Sequence, residues 1–225
     1  MQYQLRDGLS FCFVDEHPVF LDIRNDRYFM LPAALECAFT AHINGQIPLA
    51  TSLSELLGSN EQNAEESLQS RSSWGDEPAT RSAMEEQTAD EMLSIRVFLE
   101  VLLTVIKIRI HLKTMGLEDA LRDLATHRKR KAILAEAAIF KSIESSITTA
   151  TKQFLRARRL VPIKSTCLLD SLALATYLAN RRLPAKLVFG VMLSPFSAHC
   201  WVQFRDIALN ETVTETAAHT QILVW

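Results

Sequence analysis

A chain of 225 residues, 48% hydrophobic and 22% charged, can bury a core as one large domain or two small ones. Its four cysteines (Cys12, Cys37, Cys167, Cys200) show neither a C-x-x-C pair nor metal-ligand spacing, so no metal is expected, nor any other cofactor. The net charge of −2 hides an asymmetry: residues 58–94 hold nine acids and two bases, residues 95–186 seven acids and eighteen bases. That split reads as a solvated acidic linker ahead of a basic domain. The start, MQYQLRDGLSF, lacks the basic and apolar regions of a signal peptide, and a reducing cytoplasm is the expected compartment. The longest apolar stretch, residues 97–110, carries Glu100, Lys107 and Arg109 and is too short and too charged to span a bilayer.

In chain order, GLSFCFVD and HPVFLDIR have strand-like apolar and aromatic content, Asn25-Asp26 signals a turn, and RYFML returns as a hairpin arm. Pro32 suits the first turn of a helix over LPAALECAFTAHING, with Gly45 as its stop. TSLSELLG then reads as a second short helix, giving a small winged-helix-like module. Residues 58–90 have the Ser/Glu/Gln/Asn composition of a linker. Helical spacing follows over residues 91–113, at Ile95, Leu99, Leu102, Val105 or Ile106, and Ile110. Residues 117–131 and 132–158 read as further helices with basic faces. From residue 165 the expected order is one helix, capped by Ser165 or Thr166, then the strand KLVFGVML and a hairpin of AHCWVQF with DIALNET. The whole is α+β, with helices packed on an antiparallel sheet.

Chemistry concentrates in the last third. Cys167 opens the helix, where free backbone N–H groups and the helix dipole favour a thiolate and can donate to an oxyanion. His199 lies 32 residues on and Glu211 another 12, supplying a base and a group to orient it. A three-residue loop at Phe204–Asp206 would pair His199 with Glu211 on one face, whereas a two-residue loop would turn Glu211 away. Asp206, at the hairpin tip, would sit about 15–20 Å from His199. The expected contact is a hydrogen bond from His199 Nδ1–H to Glu211. Cys12, Cys37 and Cys200 read as inert core thiols. His17, His42, His111, His127 and His219 show no partner pattern and read as surface or satisfied histidines, with His219 kept in reserve as a neighbour of the site. No Gln or Asn stands between Leu155 and Thr166 to serve as a side-chain oxyanion donor.

STCLLDSLALATYL, AKLVFGV, PFSAHCWVQ, ALNET and the terminal ILVW together resemble the transglutaminase-like (papain-like) cysteine peptidase that matures lasso peptides, the B protein of those pathways. The resemblance implies Cys167 as nucleophile, His199 as base and Glu211, after Asn210, in the place of the family's usual Asp; Trp201 also matches. FLDIRNDRYFMLPAALECAF resembles the family's leader-recognition element. The implied organisation is a recognition module at 1–80, an acidic linker at 58–90 overlapping it, and a peptidase domain at 91–225. The leader of a precursor peptide would add as a strand along Arg27, Tyr28, Phe29, Met30 and Leu31. An ATP-using, asparagine-synthetase-like lasso cyclase is the implied partner. This chain has no phosphate-cradling Gly-rich loop of its own. The alternatives are an acyl-transferase of the same fold with an amine acceptor, and a non-catalytic peptide- or nucleic-acid-binding protein. Seven acids against three bases over residues 1–57 weigh against nucleic acid.

Overall fold

The computed structural model describes residues 5–44, 77–85, 93–132 and 140–225, with side chains at 129–132 and 140–142 excepted. It opens with a three-stranded antiparallel sheet in the order β1 (Leu9–Val14), β2 (His17–Asp22), β3 (Arg27–Met30). Asp15 and Glu16 join β1 to β2 with φ of 49° and 68°, the positive pair that a tight twisted hairpin turn requires. The β2–β3 turn closes on the buried carboxylate of Asp22, which accepts from the Asn25 backbone N–H (3.2 Å) and from Asn25 Nδ2 (2.7 Å). Burial pushes that carboxyl up, but the Asn25 bonds and the charges of Arg6 and Arg27 outweigh it and leave it below the usual carboxylate value.

Period-2 alternation gives this sheet two buried faces. Leu9, Phe11, Phe20, Phe29 and Leu31 pack with Phe39 of α1 (Ala33–Ile43), where the Phe20 and Phe39 rings meet at 5.2 Å. Cys12, Val14, Val19, Leu21 and Tyr28 lie on the other face and join the main core of the molecule. The recognition-sized module is therefore one layer of a larger body. Pro32 sits at the cap of α1, where its carbonyl accepts from Leu35 and Glu36, and Asn44 ends the helix. The stop expected at Gly45 and the second helix expected at 51–58 lie outside the described residues.

The main body holds α2 (Ile95–Thr114), α3 (Gly116–Ala132), α4 (Phe140–Arg159), α5 (Cys167–Asn180) and a short α6 (Val213–Ala218). They pack with a five-stranded sheet ordered β4 (Arg81–Ser82), β7 (Ile207–Ala208), β6 (Phe196–Phe204), β5 (Lys186–Leu193), β8 (Thr220–Val224). The sheet is antiparallel apart from the parallel β4–β7 pair. Helix α5 is buried nearly all round, from Leu169 to Ala179, which accounts for its unbroken apolar sequence. The buried face of α2 is Val101, Thr104, Val105 and Ile108, while Ile95, Leu99 and Ile110 are exposed. A helix apolar on every side does not reveal its inner face by spacing.

The expected linker at 58–90 also differs. Within it, β4 adds to the sheet as an edge strand: Arg81 Nε and Nη2 donate to the two Asp206 oxygens (2.8 and 3.0 Å), and Nη1 donates to Glu144 (2.8 Å). Linker composition conceals β4 because a two-residue strand carries no periodicity.

Leu21 is wholly buried where the small sheet meets the main body. Leu21→Ala should cost the full chain about 2–5 kcal/mol. Urea unfolding followed by far-UV circular dichroism and by tryptophan fluorescence should still show one shared transition. An early step confined to the small sheet would contradict the common core.

Candidate active site

The first turn of α5 is fixed from behind. Arg158, 7% exposed, donates from Nε to Asp170 Oδ1 (2.6 Å) and from Nη2 to the Ile163 carbonyl (3.0 Å). Ser165 Oγ donates to the other Asp170 oxygen. The loop ahead of Cys167 is thus tied to both α4 and α5. Thr166 stands at the cap position but makes no side-chain cap, and Ser165 bonds a carboxylate rather than a backbone N–H, so neither residue caps as expected. The uncapped helix start leaves amides free to face the thiol.

Cys167 is half-buried at that start, and its thiol is held below the ordinary value. The largest cause is a hydrogen bond with His199. Burial opposes it, and the His199 charge and the Cys200 and Leu168 backbone N–H groups add to it. His199 is pushed up to about 10 by its hydrogen bonds with Cys167 and Glu211, against the opposing effect of burial. The two shifts describe one thiolate–imidazolium pair. Glu211 lies below the usual carboxylate value, chiefly through its bond to His199, with burial opposing and the Thr212 N–H (3.0 Å) helping.

The third contact is between His199 Nε2 and Glu211 Oε2, at 2.7 Å. The expected nitrogen was Nδ1; with Nε2 on the acid, Nδ1 is the atom left for the sulfur. The hairpin also differs from expectation. Phe204 pairs with Ile207 and Gln203 with Ala208, a two-residue loop that in a continued ladder would set Glu211 opposite Cys200. The ladder carries one bond further, from the Leu209 N–H to the Val202 carbonyl (2.8 Å), and stops there. β7 ends at Ala208, the Val202 N–H turns to the Asn210 side chain (2.7 Å), and the chain bends so that Glu211 returns to His199. Asp206 is occupied at the tip by Arg81 and Thr80, and the Arg81 bonds hold its carboxyl at about 2.

Several residues outside the expected Cys167–His199–Glu211 set complete the setting. Asn210 Nδ2 donates to Ser171 Oγ (2.9 Å) and Ser171 Oγ donates to the Cys200 carbonyl (2.8 Å), joining α5 to β6 one residue from His199. Ser82 Oγ, from β4, donates to the Glu211 carbonyl (2.7 Å). Trp201 is fully buried, its ring 6.3 Å from that of His199 with 22° between planes, and its Nε1–H donates to Gln203 (2.9 Å). His219, held only in reserve, is buried with its ring 5.4 Å from His199. Its Nδ1–H donates to the Glu215 carbonyl (2.9 Å), which leaves Nε2 to accept from Ser197 Oγ (3.2 Å). Gly190 makes room for both rings: a Cβ there would fall 2.8 Å from His219 Cβ and from Trp201 Cζ3. Of these residues Trp201 and Asn210 gave a signal through the resemblance and His219 through its place after the last hairpin, while Ser171, Ser82 and Gly190 gave none.

Of the other thiols, burial pushes Cys12 up to about 11 and Cys200 well above the ordinary value, as inert core thiols require. Cys37 is exposed on α1 and is not core. Of the five residues expected to hold a leader, Arg27 and Met30 are exposed, Phe29 and Leu31 serve the α1 cluster, and Tyr28 faces the main core. β3 is an outer strand, paired only with β2 among the described residues. Among the described residues no three His, Cys, Asp or Glu side chains form a metal-holding group, and no helix is long and apolar enough to cross a membrane.

A cysteine at a helix start, paired with a histidine on an antiparallel sheet and backed by an acid, is the arrangement of papain-like acyl-transfer proteins. The family description "Transglutaminase-like superfamily" matches residues 102–224, and the chain belongs to that superfamily. No curated protein and no solved structure matches the chain.

Two outcomes follow. Iodoacetamide should alkylate Cys167 faster than free cysteine at neutral pH, and its rate should fall less steeply as pH drops than that of an ordinary thiol, which loses about tenfold per pH unit. Mass mapping after digestion reads this, and a Cys167 rate that tracks free cysteine across the range would refute the ion pair. Gly190→Ala should cost about 1–3 kcal/mol by overpacking and slow Cys167 alkylation as well, because His219 and Trp201 must shift beside His199.

Proposed function

We propose that this protein is a cysteine peptidase that binds the leader of a lasso precursor peptide and separates leader from core. The reading is carried by the line from Cys167 through His199 to Glu211 at the start of α5. The Cys167 thiolate attacks the scissile carbonyl, and the tetrahedral oxyanion forms beside the uncapped first turn of α5, where backbone N–H groups can donate to it. The imidazolium of His199 then gives its proton to the leaving amine, freeing one peptide and leaving a thioester on Cys167. Neutral His199 takes a proton from water, the hydroxide opens the thioester, and the second peptide leaves with a new carboxylate. Glu211 fixes the ring and stabilises its charge.

The outer edge of β3, unpaired among the described residues, supports leader recognition by strand addition, with backbone bonds giving affinity and side-chain pockets giving register. In this reading a lasso cyclase of the asparagine-synthetase type takes the freed core, and the cytoplasm keeps Cys167 reduced. The acidic surplus of residues 1–57 fits a peptide ligand better than a phosphate backbone.

The deciding experiment incubates the full chain with the precursor encoded beside its gene and weighs the products. Peptidase action gives two fragments summing to the precursor plus one water. A product carrying an added amine would establish amine-acceptor transfer instead, and an intact precursor would sink the reading. Cys167→Ala should abolish cleavage while Cys12→Ala, Cys37→Ala and Cys200→Ala retain it. Glu211→Gln should lower turnover about 10²–10⁴-fold, with Asp206→Asn far milder. The rate should hold across a plateau and fall as pH rises through about 10, where His199 loses the proton that the leaving amine needs. It should fall on the acid side only below the ordinary thiol range, where the depressed thiol finally protonates.

A further inference from the structure

β3 presents two different things to a peptide. Its outer edge is open among the described residues, while its side chains alternate between two layers. Phe29 turns into the cluster beneath α1, whereas Tyr28, paired with Leu21, turns to the main core, against which Cys167 also packs. The Tyr28 ring meets Phe196 edge-on, with centroids 6.1 Å apart and 64° between planes. Phe196 begins β6 on the strand face of Ala198, which packs on the main core as Cys167 does, and it is 55% exposed, so an aromatic face stands open to solvent at that end of β6. The phenol also lies near enough to feel the thiols: burial raises it first, and charge on Cys200 and Cys167 raises it further. A peptide lying along β3 would set alternate side chains on the Tyr28 face of the strand, the face turned to the main body.

We infer that Tyr28 and Phe196 form an aromatic wall of the substrate cleft beside Cys167, a subsite for the apolar side chain flanking the scissile bond. The strand that holds the leader then also shapes the pocket at the nucleophile. This gives Tyr28 a role at the nucleophile beyond the expected one of holding the leader. It rests on the reading of Cys167 as the nucleophile. The wall selects by contact, since an apolar or aromatic group gains dispersion and edge-to-face attraction against two rings that a small group cannot reach.

The test compares two reagents on the full chain, iodoacetamide and N-benzyl iodoacetamide, with the rate at Cys167 resolved by mass mapping. In the wild type the benzyl reagent should be favoured. The benzyl-to-small rate ratio should fall about three- to tenfold in Tyr28→Ala and in Phe196→Ala, and stay near wild type in Tyr28→Phe, which keeps the ring. Iodoacetamide, too small to span both rings, should lose less rate in the alanine variants than the benzyl reagent does. If Tyr28→Ala slows both reagents together, its packing has been disturbed, and the exposed Phe196→Ala alone decides. An unchanged ratio in Phe196→Ala overturns the wall while leaving the nucleophile in place. A wild-type Cys167 no faster than free cysteine with iodoacetamide overturns the nucleophile, and the wall with it.

Discussion

Everything at the site depends on one contact across two elements, the hydrogen-bonded charge pair between Cys167 on α5 and His199 on β6. Each of these charges is half-buried, where an unpaired ion is costly, so helix and strand must be held in a fixed relation. The Val202–Asn210–Ser171–Cys200 chain of bonds supplies that relation through a buried serine on the second turn of α5 and a strand carbonyl. A satisfied polar network inside an otherwise apolar contact resists sliding, because any shift strands a donor or acceptor away from water. Arg158 performs the same task for the loop entering α5, where its guanidinium converts three groups of that turn into one unit.

How much of this could be read from the sequence depends on the range of the interaction. Cys167 and His199 were legible because their residue types carry chemistry and their elements carry strong local patterns. The hairpins of the small sheet were legible through Asn25-Asp26 and the alternation around it. Glu211 was identified, but through a register that the hairpin does not adopt. The true cause is a ladder that stops after Leu209, where the Asn210 side chain takes the Val202 N–H, an event that no turn rule signals. The choice of Nε2 over Nδ1 is a ring orientation set by the whole pocket and leaves no mark in the sequence. Arg81, Ser82 and Arg158 act through contacts with distant or turn-bound partners, and nothing in their neighbourhoods distinguishes them from solvated polar residues.

Composition also misdivides the chain. An acidic, Ser-rich stretch reads as a spacer, yet residues within it pair with β7 and hold the Glu211 carbonyl. Apolar alternation reads as an independent module, yet half of the alternating residues belong to the core of the main body. A sheet with two buried faces explains why β1 and β2 are so rich in apolar residues for so small a unit: one face closes under α1 and the other needs the remainder of the protein. The small sheet and the main body are joined by packing as well as by sequence.

A glutamate rather than the shorter aspartate at 211 is explained by the same geometry. The break in the ladder withdraws the backbone at Glu211 from regular pairing, and Ser82 anchors its carbonyl to β4. The extra methylene lets the carboxylate cross back to His199 while its other oxygen accepts the Thr212 N–H. With both oxygens engaged, the longer side chain loses the rotamer freedom that would otherwise weaken its hold on the imidazolium. The longer acid is therefore matched to this backbone path. An aspartate at 211 would have to recover the lost methylene by moving a segment that Asn210, Ser82 and Thr212 together pin in place.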